Sequence, residues 1–222
     1  MQLTFLCLSS EFKGTDFIKA CKAAGNRVFL VTSERLKDKP WPHDCLDEIF
    51  YVRQAEKMRM NFDDIKGGLN YFMRSTKIDR IVALDDFDVE QAANLREHFR
   101  IPGMGETTAR HFRDKLAMRM KAAEAGLKVP PFSALFNDAE INRFAENTPT
   151  PWVVKPRGEA SASGIQKVHS GEELWQVINE LGDERPNYLV EQFKPGAVYH
   201  VDALSVGGKN IFARVSKYLN TP

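Results

Sequence analysis

The chain has 222 residues, of which 43% are hydrophobic and 27% charged, and its formal net charge at pH 7 is +1. This is the mix of an ordinary globular protein, and so small a net charge is not typical of proteins that bind nucleic acid or anionic membranes. No apolar run approaches the ~20 residues of a membrane span. Cys7, Cys21 and Cys45 are too dispersed for a zinc site or a redox pair, so we expect reduced thiols in a cytoplasmic protein.

The first half of the chain alternates short apolar runs with amphipathic segments. Strands are predicted at 3–8, 27–32, 48–52 and 80–84, and helices at 16–24, 65–74 and 89–99. This alternation predicts a parallel sheet covered by helices on both faces, and hence a Rossmann-like α/β domain over residues 1–104. The turn after the first strand, Ser9–Gly14, lacks the G-x-G-x-x-G fingerprint, so neither NAD nor FAD is assigned to this domain.

Acidic residues follow the fourth predicted strand. Asp85, Asp86 and Asp88 would lie at the carboxyl edge of the sheet, where α/β proteins bind ligands. One interpretation is that Asp85 and Asp86 contact an amine-bearing or cationic substrate. The other is that these carboxylates cap the next helix, whose N-terminus favours negative charge.

The second half, residues 105–222, mixes helices with strand pairs. A helix capped by Thr107 or Thr108 is predicted first, and further helices at 115–125, 137–146 and 172–181. Strands are predicted on either side of a loop after Lys155, and at 188–191, 198–206 and 210–217. Gly207-Gly208 between the last two strands predicts a β-hairpin.

A lysine followed by small residues marks the centre of this half. The apolar run that ends at Lys155 is followed by residues 157–164, which are rich in Gly, Ala and Ser, before the apolar pattern resumes at Ile165. Small side chains allow backbone N–H groups to approach a polyphosphate, and Lys155 would add a point charge. A plain surface hairpin with a small-residue turn explains the same pattern.

A second strand, within residues 187–196, ends in the turn Pro195-Gly196. Glu191 near its end can accept a hydrogen bond from an exocyclic amine. The extended backbone from Gln192 to Lys194 can offer one carbonyl and one N–H to the edge of a purine.

Five segments together resemble the ATP-grasp superfamily, in particular bacterial members related to biotin carboxylase and carbamoyl-phosphate synthase. They are IPGMG at 101–105, FRDKLAM at 112–118, WVVKPR at 152–157, EQFKPG at 191–196 and YHVD at 199–202. The resemblance implies that the Rossmann-like domain precedes the N-terminal part of an α+β ATP-grasp domain over residues 105–222. It also implies an ATP-dependent ligase that activates a carboxylate as an acyl phosphate, which an amine then attacks.

The same resemblance implies roles for individual residues. Lys115 and Lys155 would contact the phosphates, and the loop 157–164 would close over them as a lid. Ile165 would line the adenine, and Glu191 would take its amino group while the backbone near Phe193 and Lys194 reads the ring edge. The expected ATP contacts are Lys115, Lys155, Arg157, Ser161, Ser163, Gly164, Ile165, Glu191, Gln192, Phe193 and Lys194.

His200 and Asp202 share one face of a predicted strand. They are candidates for contacts to ribose, substrate or metal, although a lone histidine is more often structural. Many members of the family hold the ribose with a carboxylate seven residues after the adenine-contacting glutamate. This chain has Val198 at that position, so we expect the ribose to be held elsewhere.

The family places its Mg²⁺ ligands further along the chain. The resemblance therefore implies the N-terminal portion of a longer enzyme, or a truncated one, with the metal ligands downstream of residue 222 and none within this chain. We then expect weak ATP binding and poor catalysis by this chain alone, exposed apolar surface, and self-association, with a homodimer as one form. The alternative is a non-catalytic nucleotide-binding or interaction module; a dehydrogenase is disfavoured by the missing fingerprint.

Overall fold

A computed structural model describes residues 1–53, 60–159 and 164–219. The chain forms two compact units, Met1–Arg113 and Asp114–Pro222. The domain division expected at residue 104 stays a prediction. Ser161 and Ser163 lie outside the described residues, and their expected contacts to ATP also stay predictions.

The first unit is built on a four-stranded parallel sheet in the order β3-β2-β1-β4. The strands are β1 (Thr4–Ser9), β2 (Arg27–Ser33), β3 (Glu48–Val52) and β4 (Arg80–Ala83). The helices are α1 (Thr15–Ala23), α2 (Phe62–Phe72), α3 (Val89–Phe99) and α4 (Glu106–Arg113). This strand order is that of a doubly wound sheet, so the predicted Rossmann-like class is confirmed.

Side chains of β1 alternate between two hydrophobic cores. Leu6 and Leu8 pack on the side of α2 and α3, whereas Cys7 packs on the opposite side with Ile18 of α1 and Trp41. Burial, with a smaller contribution from the neighbouring Cys21 thiol, raises the pKa of Cys7 to about 12. All three cysteines are free thiols.

Helix α2 begins three residues before its predicted start because Asn61 caps it. The Asn61 side chain accepts hydrogen bonds from the backbone N–H groups of Asp63 and Asp64, at 3.0 and 3.2 Å. The cap satisfies two donors that the first turn of a helix leaves unpaired. Periodicity alone does not detect this turn, since only Phe62 in it is apolar.

The second unit contains a four-stranded sheet in the order β5-β8-β6-β7, in which all pairs are antiparallel. Its strands are β5 (Phe132–Ala134), β6 (Trp152–Pro156), β7 (Gln166–Val168) and β8 (Tyr188–Gln192), and its helices are α5 (Lys115–Glu124), α6 (Asp138–Asn147) and α7 (Gly171–Leu181). Trp152, Val154 and Val190 pack with α6 and α7 in one core. The predicted strand pair on either side of the loop after Lys155 is β6 and β7.

A hairpin ends the described chain. Strands β9 (Tyr199–Val206) and β10 (Lys209–Lys217) pair antiparallel across Gly207 and Gly208, whose φ angles are 57° and 75°. The predicted hairpin is therefore confirmed. Its apolar side chains are exposed, among them Val201, Leu204, Val206, Ile211, Phe212 and Val215.

Among the described residues, every helix is too short or too polar to cross a bilayer.

Two glycines at the ends of α1 provide a matched test of packing in the first unit. Gly14 and Gly25 have φ angles of 78° and 79°, but only at Gly14 would a Cβ atom collide, 2.7 Å from Leu84. We expect Gly25→Ala to lower the free energy of unfolding by about 1 kcal/mol through backbone strain. Gly14→Ala should cost about 2–4 kcal/mol because overpacking adds to that strain. Urea unfolding of both variants measures the difference; equal losses would contradict it.

Candidate functional site

Lys155 and Glu191 form a buried ion pair on one face of the second sheet. Val153 of β6 lies opposite Glu191 of β8, so Lys155, two residues further along β6, is the diagonal neighbour of Glu191 on the same face. The Lys155 Nζ donates to Glu191 Oε1, and both side chains are about 10% exposed. Each charge needs the other, because an isolated buried charge is costly.

Arg119 brings a second cation to the same carboxylate. Its Nε lies 3.0 Å from Glu191 Oε2, so each oxygen of Glu191 accepts from a different cation. Sequence reasoning missed Arg119. The available signal was its spacing from Lys115, since residues i and i+4 share one face of α5.

Lys115 holds the beginning of the small-residue loop. Its Nζ donates to the carbonyl of Glu159 at 2.5 Å and approaches that of Arg157 at 3.4 Å. Its backbone N–H also donates to the Arg157 carbonyl, at 3.0 Å. The first residue of α5 is therefore bound to the chain that leaves β6.

The Arg157 guanidinium contacts three other residues of the second unit. Its guanidinium donates to both carboxylate oxygens of Asp114, through Nε at 3.0 Å and through Nη2. Its Nη1 donates to the Pro186 carbonyl at 2.9 Å, and the group lies over the Phe136 ring, 5.5 Å from its centre. These contacts use three of the five N–H donors of the guanidinium, and the expected contact of Arg157 to the phosphates stays a prediction.

Asp114 joins these contacts to the helix. Its Oδ1 caps α5 by accepting from the N–H groups of Leu116 and Ala117, at 2.9 and 3.3 Å. Burial alone would raise the pKa of the Asp114 carboxyl, but the Arg157 guanidinium and these N–H donors outweigh it and lower the pKa below 3.8.

Gly164 and Ile165 close the described part of the loop. Gly164 has φ +71°, and a Cβ atom there would lie 3.1 Å from Pro156, so glycine relieves both strain and crowding. Ile165 is 45% exposed. Both residues are compatible with a ligand lying against this loop.

The backbone after Glu191 is less available than expected. The N–H of Gln192 donates to the Pro131 carbonyl at 2.9 Å, and that of Phe193 donates to the Pro151 carbonyl at 3.0 Å. Within the part of the chain that the structure describes, the next N–H, that of Lys194, has no hydrogen-bond acceptor. The expected donor to a purine edge is therefore confined to Lys194, and Phe193 contributes its ring, over which Lys167 Nζ lies at 4.1 Å.

His200 and Asp202 meet on β9, as their alternation predicted. His200 Nε2 lies 3.5 Å from Asp202 Oδ2, and the two side chains are 45% and 67% exposed. The His200 ring also packs edge-on against Tyr218, at 5.1 Å between ring centres. No contact among the described residues joins this pair to Lys155 or Glu191.

Two carboxylates of the acidic turn after β4, those of Asp85 and Asp88, make contacts within the protein. Asp85 caps the turn by accepting from the Phe87 N–H at 3.0 Å, and its other oxygen lies 2.6 Å from Lys13 Nζ. Asp86 is exposed. Asp88 accepts from both the backbone N–H, at 2.7 Å, and the hydroxyl of Ser10. Asp85 therefore acts as a cap, and contacts from Asp85 or Asp86 to a substrate stay predictions.

Within residues 1–53, 60–159 and 164–219, no group of three or more His, Cys, Asp or Glu side chains could hold a metal ion.

Comparisons with known proteins find ligases among the similar proteins. The L-arginine-specific L-amino acid ligase of Bacillus subtilis is 29% identical over 146 residues, 63% of this chain and 35% of the ligase. A D-alanine–D-alanine ligase of Laribacter hongkongensis is 35% identical over 91 residues, 41% of this chain and 30% of that protein. The crystal structure of an L-amino acid ligase from Bacillus licheniformis superposes with a TM-score of 0.71 at 18% identity, over 96% of this chain and 51% of that one.

The homologues of this chain are ATP-grasp ligases. The similarity confirms the resemblance on which the predicted ATP contacts depend. No protein-family model matches the chain. The chain spans about a third of the length of the curated relatives it matches, and about half of the solved structures.

Asp114 gives a test of the contacts around Lys115 and Arg157. Asp114→Asn retains a capping oxygen but removes the charge that pairs with Arg157, so we expect a loss of about 1.5–3 kcal/mol at pH 7. Because the folded pKa of Asp114 is lowered, its contribution is present above pH 3.8 and is lost as the pH falls through the folded pKa. The gap between wild type and variant should therefore shrink on acidification. Urea unfolding between pH 7 and pH 3 measures it.

The matched control is Asp138→Asn. Asp138 pairs with Arg185 at 2.6 Å but is 66% exposed, so its removal should change stability little at any pH. Parallel stability curves for wild type and Asp114→Asn would contradict the assigned role of Asp114.

Asp88 should have the opposite pH dependence. Burial, reinforced by the charges of Asp85 and Glu11, raises the pKa of Asp88 to about 6, despite the hydrogen bonds from Ser10. Its contribution is fully present below pH 3.8 and is lost as the pH rises through 6. Asp88→Asn should therefore gain stability relative to wild type between pH 4 and pH 7, whereas Asp86→Asn should not. Denaturant unfolding between pH 4 and pH 7 measures this change. A difference in unfolding free energy between wild type and Asp88→Asn that does not vary with pH would be inconsistent with the raised pKa.

Proposed function

We propose that this chain carries the nucleotide-binding part of an ATP-dependent carboxylate–amine ligase of the ATP-grasp type. The observation that carries the proposal is the position of two lysines, Lys115 and Lys155, beside the segment that leaves strand β6. Lys155 is the last residue but one of strand β6. Lys115 begins α5, and its Nζ lies within hydrogen-bonding distance of the carbonyls of Arg157 and Glu159, in the segment that leaves the same strand. Two ammonium groups beside a loop of small residues suit the phosphates of ATP.

The charge around Lys155 supports this role. Lys155 and Arg119 share the single carboxylate of Glu191, so these three side chains carry a net positive charge of one. An incoming phosphate would compensate that charge in a site with little solvent, where electrostatic attraction is stronger than in water. Phosphoryl transfer depends mainly on such positioning and charge compensation.

The adenine would lie beside the end of β8. Glu191 has lone pairs beyond those used by Lys155 and Arg119, so it can still accept from an amino group. The Lys194 N–H would donate to the ring, and the exposed side chain of Ile165 would cover one ring face. Ser161, Ser163 and Gly164 would complete the loop over the phosphates.

The reaction would proceed in two displacements. A substrate carboxylate oxygen attacks the γ-phosphorus of ATP, and the bond between that phosphorus and the bridging oxygen breaks to release ADP. The amine nitrogen then attacks the acyl carbon, the bond from carbon to phosphate oxygen breaks, and the nitrogen loses a proton as phosphate leaves. The relatives named above, two of them amino acid ligases by name, support amino acids as the source of both groups.

Magnesium would accompany ATP, as it does in ATP-grasp ligases. The described residues contain no cluster of three or more metal-ligating side chains, and we assign no step of the reaction to protein-bound metal. A non-catalytic nucleotide-binding module is not favoured, since the relatives are ligases.

Calorimetric titration of the 222-residue chain with Mg²⁺-ATP tests the proposal. Lys155→Met should weaken ATP binding at least tenfold, about 1.4 kcal/mol, because it removes a phosphate contact. The matched control is Lys128→Met, which removes an exposed lysine of the same unit and should leave the affinity unchanged.

Lys155→Met also leaves Glu191 with one partner fewer, so loss of folding has to be separated from loss of binding. The double variant Lys155→Met/Glu191→Gln removes both charges of the pair, and its thermal unfolding shows whether the unit is intact. A folded double variant that binds ATP as tightly as wild type would overturn the proposal.

A further inference from the structure

A cavity of about 370 Å³ lies in the first unit, between α2 and strands β2 and β3. Its volume falls in the range of small-molecule sites, roughly 300–1,000 Å³. None of its lining residues is assigned above to ATP or to a substrate. Its apolar wall is formed by Val31, Phe50, Val52, Ile65, Leu69 and Phe72.

Charged side chains of both signs line the same cavity. They are Glu34, Arg53 and Asp64, and all three are exposed. In the described part of the chain, none of the three forms a salt bridge. Tyr51, which also lines the cavity, adds a phenolic hydroxyl. Among the described residues, therefore, the charged groups at this cavity do not contribute ion pairs to the fold.

Gly68 of α2 lines the cavity. Asp64, Gly68 and Phe72 recur at every fourth residue of α2, which places them on one stripe of the helix, and all three line the cavity. Glycine inside a helix costs about 1 kcal/mol relative to alanine. No atom lies within 4 Å of where a Cβ of Gly68 would stand, so packing does not require glycine there.

The neighbouring glycine does not share this position. A Cβ at Gly67 would also meet no atom within 4 Å, but Gly67 does not line the cavity. A larger side chain at 68 would enter the cavity, whereas one at 67 would not. The two glycines thus provide a matched pair.

We infer that this cavity binds a free α-amino acid with an apolar side chain. The ligand's carboxylate pairs with the Arg53 guanidinium, which suits planar anions, and its ammonium group lies between Glu34 and Asp64. Its side chain packs on the apolar wall and loses water. A ligand with only one charge would pair either with Arg53 or with the two carboxylates of Glu34 and Asp64, but not with both. The site belongs to the first unit, so the inference does not depend on the proposed nucleotide site.

Calorimetric titration of the 222-residue chain with L-leucine and L-phenylalanine tests the inference. We expect saturable binding of at least one of them. Isocaproate and isoamylamine, which are leucine without its ammonium and without its carboxylate, should each bind at least about tenfold more weakly than leucine. No saturable binding of either amino acid, or equal binding by a single-charge analogue, overturns the inference.

Variants then locate the site. Gly68→Leu should weaken amino acid binding at least about tenfold, and Gly67→Leu, which makes the same change in helix propensity, should stay within about twofold of wild type. Arg53→Gln, an exposed change that does not endanger folding, should weaken binding at least about fivefold. Lys128→Met, at an exposed lysine of the second unit, should leave it unchanged. Equal effects of the two glycine variants, or full binding by Arg53→Gln, would contradict this location.

Discussion

The Glu191 carboxylate is the contact on which the second unit's arrangement depends. It accepts from Lys155 of β6 and from Arg119 of α5, while itself belonging to β8. Removing it would leave two largely buried cations without compensation, a loss of about 3–5 kcal/mol for a broken buried pair. Replacing the whole group with apolar side chains would cost far less. The charges are therefore better explained by a requirement for cations at this place than by stability.

Polar contacts join the start of helix α5 to the segment that follows strand β6, and each of the two segments donates hydrogen bonds to the other. Asp114, which caps α5, binds Arg157, which follows β6, and Lys115 of α5 binds the carbonyls of the same segment. The contacts that fix the helix on the sheet thus also fix the distance between the two lysines. The proposed nucleotide site would therefore need little rearrangement on binding, because supporting residues already hold both lysines in place.

Most of the fold could be predicted because its signals are local. Alternation of strands and helices indicated the parallel sheet, and Gly207-Gly208 indicated the hairpin. The site was predicted less completely, because its details depend on residues far apart in sequence. Arg119 looks like any solvated helix residue until Glu191 is placed beside it. Likewise, the N–H groups of Gln192 and Phe193 are occupied by carbonyls at Pro131 and Pro151, and no sequence pattern marks those partners.

The three thiols of the first unit differ in their access to solvent. Cys7 is fully buried with its pKa raised to about 12, and burial also raises the pKa of Cys21, whereas Cys45 is partly exposed. Because the thiolate is the reactive form, an alkylating reagent meets Cys45 in the folded protein but meets Cys7 only when the sheet opens. The rate of Cys7 alkylation therefore reports the opening free energy of the central strand, without any engineered label.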